Sequence, residues 1–210
     1  MAYPTIDAPY GLKPVNLIGG LPFAGATREM PIASNYGTAI FNGDVVQYKN
    51  DGTIIITTLQ ANTSPVAGVV GVFLGCSYTD PNTKQLTFNN SYPGSIVASD
   101  IKAFVCDDPN ALYKVASVTS ASADSTTGGL VVAGKSRAVA ISNNAELVLN
   151  TGVVATGRSR MGIFVNNVST ILPITVVDVV EDTKDSSGNF TEFLVKITAT
   201  YHRYNHTVGV

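Results

Sequence analysis

The segment Gly129-Leu130-Val131-Val132-Ala133-Gly134-Lys135-Ser136 matches the phosphate-binding pattern G-x-x-x-x-G-K-[ST] letter for letter. A working loop of that kind leaves a buried strand, wraps phosphate in backbone N–H groups and enters a helix. Residues 172–178 even offer a second element, an apolar run ending in Asp178. The context argues against nucleotide chemistry. A Ser/Thr-rich stretch precedes Gly129 where a strand is required, and the variable positions Leu-Val-Val-Ala read as strand themselves. No β/α alternation surrounds the motif.

The other reactive residues give no constellation. His202 and His206 would chelate zinc on a helix, but residues 197–204 alternate like a strand. Strand positions four apart lie about 13 Å from each other, too far for one metal. They are expected as surface or interface histidines. Asp107 and Asp108 are adjacent in Asp-Asp-Pro-Asn, which is turn chemistry rather than an acid–base pair facing a gap. Cys76 and Cys106 each sit in an apolar stretch and read as small buried thiols. There is no Gly-x-Ser-x-Gly. No catalytic, cofactor-binding or metal-ligating residue is expected, and the chain is read as a non-enzyme.

Composition points the same way. Of the 210 residues only 13% are charged, about half the usual quarter, while 45% are hydrophobic. A surface with so few charges suggests one covered by partners. The net charge of −2 gives no basic face for nucleic acid. The weakly polar stretch 65–76 is too short and Gly-rich to span a bilayer. The start Met-Ala-Tyr-Pro-Thr-Ile-Asp lacks the marks of a signal peptide. Synthesis in a cytoplasm, with no membrane and no nucleic-acid partner, is the expectation.

The elements that would position any site are strands. Residues 44–49, 53–59, 66–78, 85–88, 101–106, 112–118, 163–165, 172–180 and 193–204 are rich in β-branched and aromatic residues and are separated by turn signals such as Asn50-Asp51-Gly52 and Tyr92-Pro93-Gly94. The predicted fold is all-β, a compact barrel or sandwich, jelly-roll or β-tulip-like. Residues 130–149 are ambiguous, with 138–147 the best helix candidate. Flexible loops are expected near 119–129 and 151–162. Residues 1–40 hold Pro4, Pro9, Pro14, Pro22 and Pro31 with glycines between, and read as an extended N-terminal arm ahead of a core at 41–210. Apolar residues interspersed along that arm would lie on a neighbour: Tyr3, Pro9, Tyr10, Leu12, Val15 and Leu17. Arg158 and Arg160, in a small-residue loop, are the further candidates for partner binding, because guanidinium forks pair well with carboxylates.

Several short segments carry a family likeness. They are Ala8-Pro9-Tyr10-Gly11-Leu12-Lys13-Pro14-Val15, Gly43-Asp44-Val45-Val46, Gly71-Val72-Phe73-Leu74-Gly75-Cys76-Ser77-Tyr78-Thr79-Asp80, Tyr92-Pro93-Gly94, Val105-Cys106-Asp107-Asp108-Pro109-Asn110, Thr156-Gly157-Arg158-Ser159 and Phe193-Leu194-Val195-Lys196-Ile197. In this order and spacing the chain resembles capsid decoration (cement) proteins of tailed bacteriophages of cyano- or marine type. The resemblance implies a trimer on the outer capsid surface of the virion, bound to the major capsid protein, with no catalytic residues. A tail or connector component is the alternative. Residues 201–210 run past the pattern.

Overall fold

A computed structural model describes residues 9–59, 68–118, 141, 143–165, 172–183 and 190–205. They form an all-β structure of two antiparallel sheets packed together, as the sequence predicts. The first sheet has six strands in the order β1 (Lys13–Leu17), β8 (Ala111–Ala116), β12 (Glu192–Ile197), β11 (Ile174–Val179), β9 (Asn144–Val148) and β10 (Gly162–Phe164). It curls on itself: Ser117, just past β8, bridges Ile163 on β10, and the Val118 N–H donates to the Ile163 carbonyl. The second sheet runs β2 (Arg28–Pro31), β7 (Lys102–Cys106), β5 (Val69–Thr79), β3 (Val45–Tyr48) and β4 (Ile54–Ile56), with β6 (Leu86–Asn89) on the far half of β5.

Two apolar cores explain this layout. One fills the space inside the first sheet and between the sheets, with Leu12, Val45, Val72, Tyr113, Leu147 and Phe193 among its members. The other lies on the opposite face of the second sheet, where Met30, Val46, Val70, Phe73, Cys76 and Tyr92 pack under the loops. Strand β5 is therefore buried on both faces, which is why its sequence is a nearly continuous apolar run rather than an alternation. Gly71 in this strand lies beneath the chain where it leaves β7 at Cys106–Asp107 for the other sheet.

Three expectations need correction. Within the arm expected over residues 1–40, two segments belong to the sheets: β1 pairs with β8 and β2 with β7, one at the edge of each sheet, while residues 18–27 between them are exposed apart from Phe23. Pro14 and Pro31 sit on those edge strands, where a missing donor breaks no interior ladder. Second, the later part of the helix candidate 138–147 is strand β9, held between β10 and β11. Third, the closing strand ends at Ile197; residues 199–201 turn, and a single 3-10 turn occupies Arg203–Asn205. The loop 151–162 is anchored, with Gly157, Ser159 and Met161 buried.

Candidate partner-binding surfaces

Much of what looked available for partners is used internally. Pro9, Tyr10, Gly11 and Leu12 are buried. The Gly11 N–H donates to the Met161 carbonyl at 3.0 Å, and the Leu12 N–H to the Gly43 carbonyl at 2.9 Å. Gly11 adopts φ +79°, and an added Cβ would meet the Ser159 side chain at 2.6 Å, so both conformation and space require glycine. The Ser159 N–H donates to the Asn42 carbonyl, and the Met161 N–H to Ser159 Oγ. Three segments far apart in the sequence, around Tyr10, Asp44 and Arg158, thus meet at one junction.

Asp44 is the charge at that junction. It is 1% exposed, and its Oδ2 accepts the Phe41 N–H at 2.8 Å, while Oδ1 has no partner among the described residues. Burial pushes its carboxyl up to about 6, against the Ser159 hydroxyl and the Phe41 N–H, which favour the ionised form.

Tyr10 is tied across the first sheet. Its hydroxyl donates to Glu192 Oε1 at 2.5 Å, Lys114 Nζ meets Glu192 Oε2 at 3.1 Å, and the Lys13 ammonium lies 4.0 Å from the Tyr10 ring centre. Burial and then the Glu192 contact hold the phenol protonated far above its ordinary range. Tyr10→Phe leaves Glu192 buried with one acceptor unmet and is expected to cost about 2 kcal/mol in urea unfolding. Pairing it with Glu192→Gln, which removes the buried charge, is expected to recover about half; full additivity of the two losses would contradict this account.

Asp107 and Asp108, read as turn residues, divide the work. Asp108 Oδ1 caps the turn by accepting the Asn110 N–H at 2.7 Å. Asp107 Oδ2 instead receives Arg28 Nε at 2.9 Å and the Tyr204 hydroxyl at 2.6 Å, fastening the C-terminal turn to β2. His202 beside it is fully buried, a correction to the expected surface or interface position. Its Nδ1 accepts the Tyr204 N–H at 3.3 Å, and Nε2 has no well-formed hydrogen bond among the described residues. Burial lowers the imidazole's proton affinity, partly opposed by Asp107 and Asp108. The neutral ring is therefore the folded form. Its stabilising effect is complete above the ordinary histidine pKa of 6.5 and is lost as pH falls below it. His206 lies outside the described residues, as do Tyr3 and the motif 129–136.

Cys76 and Cys106 are buried free thiols, as expected, and burial pushes Cys76 up to about 12. Among the described residues no three His, Cys, Asp or Glu side chains are grouped to hold a metal, and no helix is long and apolar enough to cross a membrane.

Two surfaces remain outward. The first is the strap over residues 18–29, exposed throughout except for Phe23, which packs against the core. Ile18 and Leu21 stand outward on it, next to Val15 on the β1 edge, while Leu17 is half-buried. The second surrounds β6, where Leu86 is 62% and Phe88 69% exposed. Phe88 stacks on Phe104 of β7, rings 6.3 Å apart and nearly parallel, reaching across β5 beside Gly75, which has no side chain to intervene. Arg158 and Arg160 are exposed. The turn carrying Arg158 rests on Asn90, whose amide donates to the Thr156 carbonyl at 3.2 Å, and it presents Val154 to solvent. No family model, curated protein or solved structure matches the chain.

The strap falls within the arm 1–40 that the sequence offers to a neighbour, whereas β6 was not singled out as a site from sequence. The signal that could have found β6 is the run from Gln85 to Ser99, which holds no charged residue.

Proposed function

We propose that this protein is a structural component of a tailed-phage virion that binds the outer capsid surface and bridges neighbouring subunits of the major capsid protein, as a trimer. The observation that carries the reading is the exposed strap 18–29, which opens with a tight turn at Leu17–Leu21 that holds Ile18 and Leu21 outward, packs Phe23 against the core and joins an edge strand of one sheet to an edge strand of the other. Large apolar side chains held outward on a fixed scaffold are the makings of an interface. The family likeness of the segments around Tyr10, Asp44 and Arg158 and the scarcity of surface charge support the same reading.

A shell filled with DNA is pushed outward. A protein with several weak footprints, joined in one oligomer, resists by avidity, because neighbouring capsid subunits cannot separate without breaking its contacts too. Of the residues first assigned to that contact, Val15, Arg158 and Arg160 are exposed and Leu17 is half-buried, and the buried Pro9, Tyr10 and Leu12 hold the strap's root.

The test uses purified chain and shells assembled from the cognate major capsid protein. Ile18→Asp with Leu21→Asp, both at exposed positions, is expected to leave the circular dichroism unchanged and to weaken shell binding at least about tenfold. Unchanged binding would reject the strap. A protein found in only a few copies per virion would instead be a tail or connector component.

A further inference from the structure

Sheet edges invite pairing, and folded proteins guard them with charge, proline, bulges or cover. In this chain β1 carries Lys13, Pro14 and a bulge. Strand β2 carries Arg28, Glu29 and Pro31. The edge of β10 is occupied by Ser117 and Val118. Strand β4, at the other end of the second sheet, is covered where its Ile56 N–H donates to the Tyr36 hydroxyl at 3.3 Å. Strand β6 has none of these devices. It pairs only with β5 among the described residues, and its sequence Leu86-Thr87-Phe88-Asn89 holds neither charge nor proline. Its pairing with β5 sets the faces: Phe88 lies opposite Ser77 and Leu86 opposite Thr79, away from the core residues Cys76 and Tyr78. The two outward side chains of this edge are thus both apolar.

We infer that β6 is a self-association edge, pairing antiparallel with β6 of a second copy of this chain about a two-fold axis through Thr87. The strand is self-complementary in that register. Leu86 of each copy falls opposite Phe88 of the other on the same face, so all four apolar side chains cover one another, with the Phe104 rings beneath. A shift by one residue would set Leu86 against Asn89 and Phe88 against Thr87, which buries less. A second copy is the occupant the charge pattern fits. From Gln85 to Ser99 nothing repels an identical surface, and nothing offers an ion pair to a charged partner. Four residues of strand make a small contact, well below the roughly 800 Å² per partner of stable complexes. The pairing is therefore weak in dilute solution and strengthens where copies are held close together. It does not depend on the shell reading, and it would join separate trimers if both hold.

The experiment uses the full chain carrying Thr87→Cys, with Val97→Cys as an exposed control outside the strand; the native Cys76 and Cys106 are buried. Directly opposed positions place Cβ atoms about 4.5–5.5 Å apart, within reach of a disulfide on small adjustment. Under a mild oxidant Thr87→Cys is expected to form a linked pair at least about tenfold faster than the control, and adding Phe88→Lys is expected to remove that advantage. Sedimentation of the otherwise native chain is expected to show concentration-dependent association that Leu86→Lys weakens at least about tenfold. Linking no faster than the control, or association indifferent to both lysines, overturns the proposal. So does a native chain that never self-associates while Phe88→Lys abolishes shell binding, since the occupant would then be the capsid protein.

Discussion

Replacing Gly71 by alanine is expected to destabilise the fold by about 3 to 5 kcal/mol, a large part of the total for a domain of this size. The reason is backbone, not side chain. A Cβ at residue 71 would overlap the Cys106 carbonyl oxygen and stand 2.8 Å from its carbon and 3.0 Å from the Asp107 Cα. No rotamer change relieves that contact, because the obstructing atoms belong to the crossing from β7 to β8. Either the crossing lifts, breaking the pairing of Val72 with Cys106, or β5 retreats from β3. The measurement is the urea midpoint, with the slope showing whether the native state has loosened as well. Gly37→Ala, at a position with open space around it, is the control and is expected to change stability by less than about 0.5 kcal/mol. A Gly71→Ala protein as stable as that control would mean that the two sheets are not joined as described.

Asp44→Asn is expected to make the protein more stable in alkaline solution, by about 2 to 3 kcal/mol at pH 8, and to have little effect near pH 4. The sign follows from the folded carboxyl being raised to about 6 from 3.8 by burial. An acid whose folded pKa is raised binds more protons in the native state between those values. Stability is therefore greatest below about pH 4 and is lost as pH rises through 6. Asparagine keeps an acceptor for the Phe41 N–H and removes the cost of ionising a group whose Oδ1 finds no donor. His202 acts in the opposite sense, losing stability as pH falls below 6.5, so the diagnostic quantity is the difference between the variant and native curves. Parallel curves from pH 4 to 8 would show that Asp44 does not titrate in the folded protein.

How far the sequence foretold this arrangement differs from segment to segment, for physical reasons. Strands β3, β5, β7 and β11 were legible because Val, Ile and Phe fill them and Gly-, Asn- and Pro-containing turns bound them. Strands β1 and β2 were hidden by prolines, which normally argue against a sheet; both lie at edges, where the objection lapses. Strand β9 was hidden by Ala145, Glu146 and Leu147, good helix formers whose preference is overridden once Ala145 and Leu147 are buried between two neighbouring strands. The same limit applied to the surface. Tyr10 and Leu12 look like contacts for a neighbour until Glu192, far along the chain, is found beneath the Tyr10 hydroxyl. Short-range pattern says that a side chain is apolar. Which surface it meets is settled by pairings that pattern does not contain.

The pairing of β1 with β8 has a consequence for how the polypeptide is made. Lys13 must wait for Lys114, and Arg28 for Val105, before either N-terminal strand gains its neighbour. The middle of the first sheet waits longer still, since β8 takes its other neighbour from residues 192–195. A nascent chain emerging from the ribosome therefore carries Tyr10 and Leu12 uncovered through most of translation. Folding dominated by such distant pairings is slow, on the order of milliseconds to seconds. Assembly of the native molecule is thus gated by completion of β12, and fragments ending before Glu192 are expected to be degraded or to aggregate rather than fold.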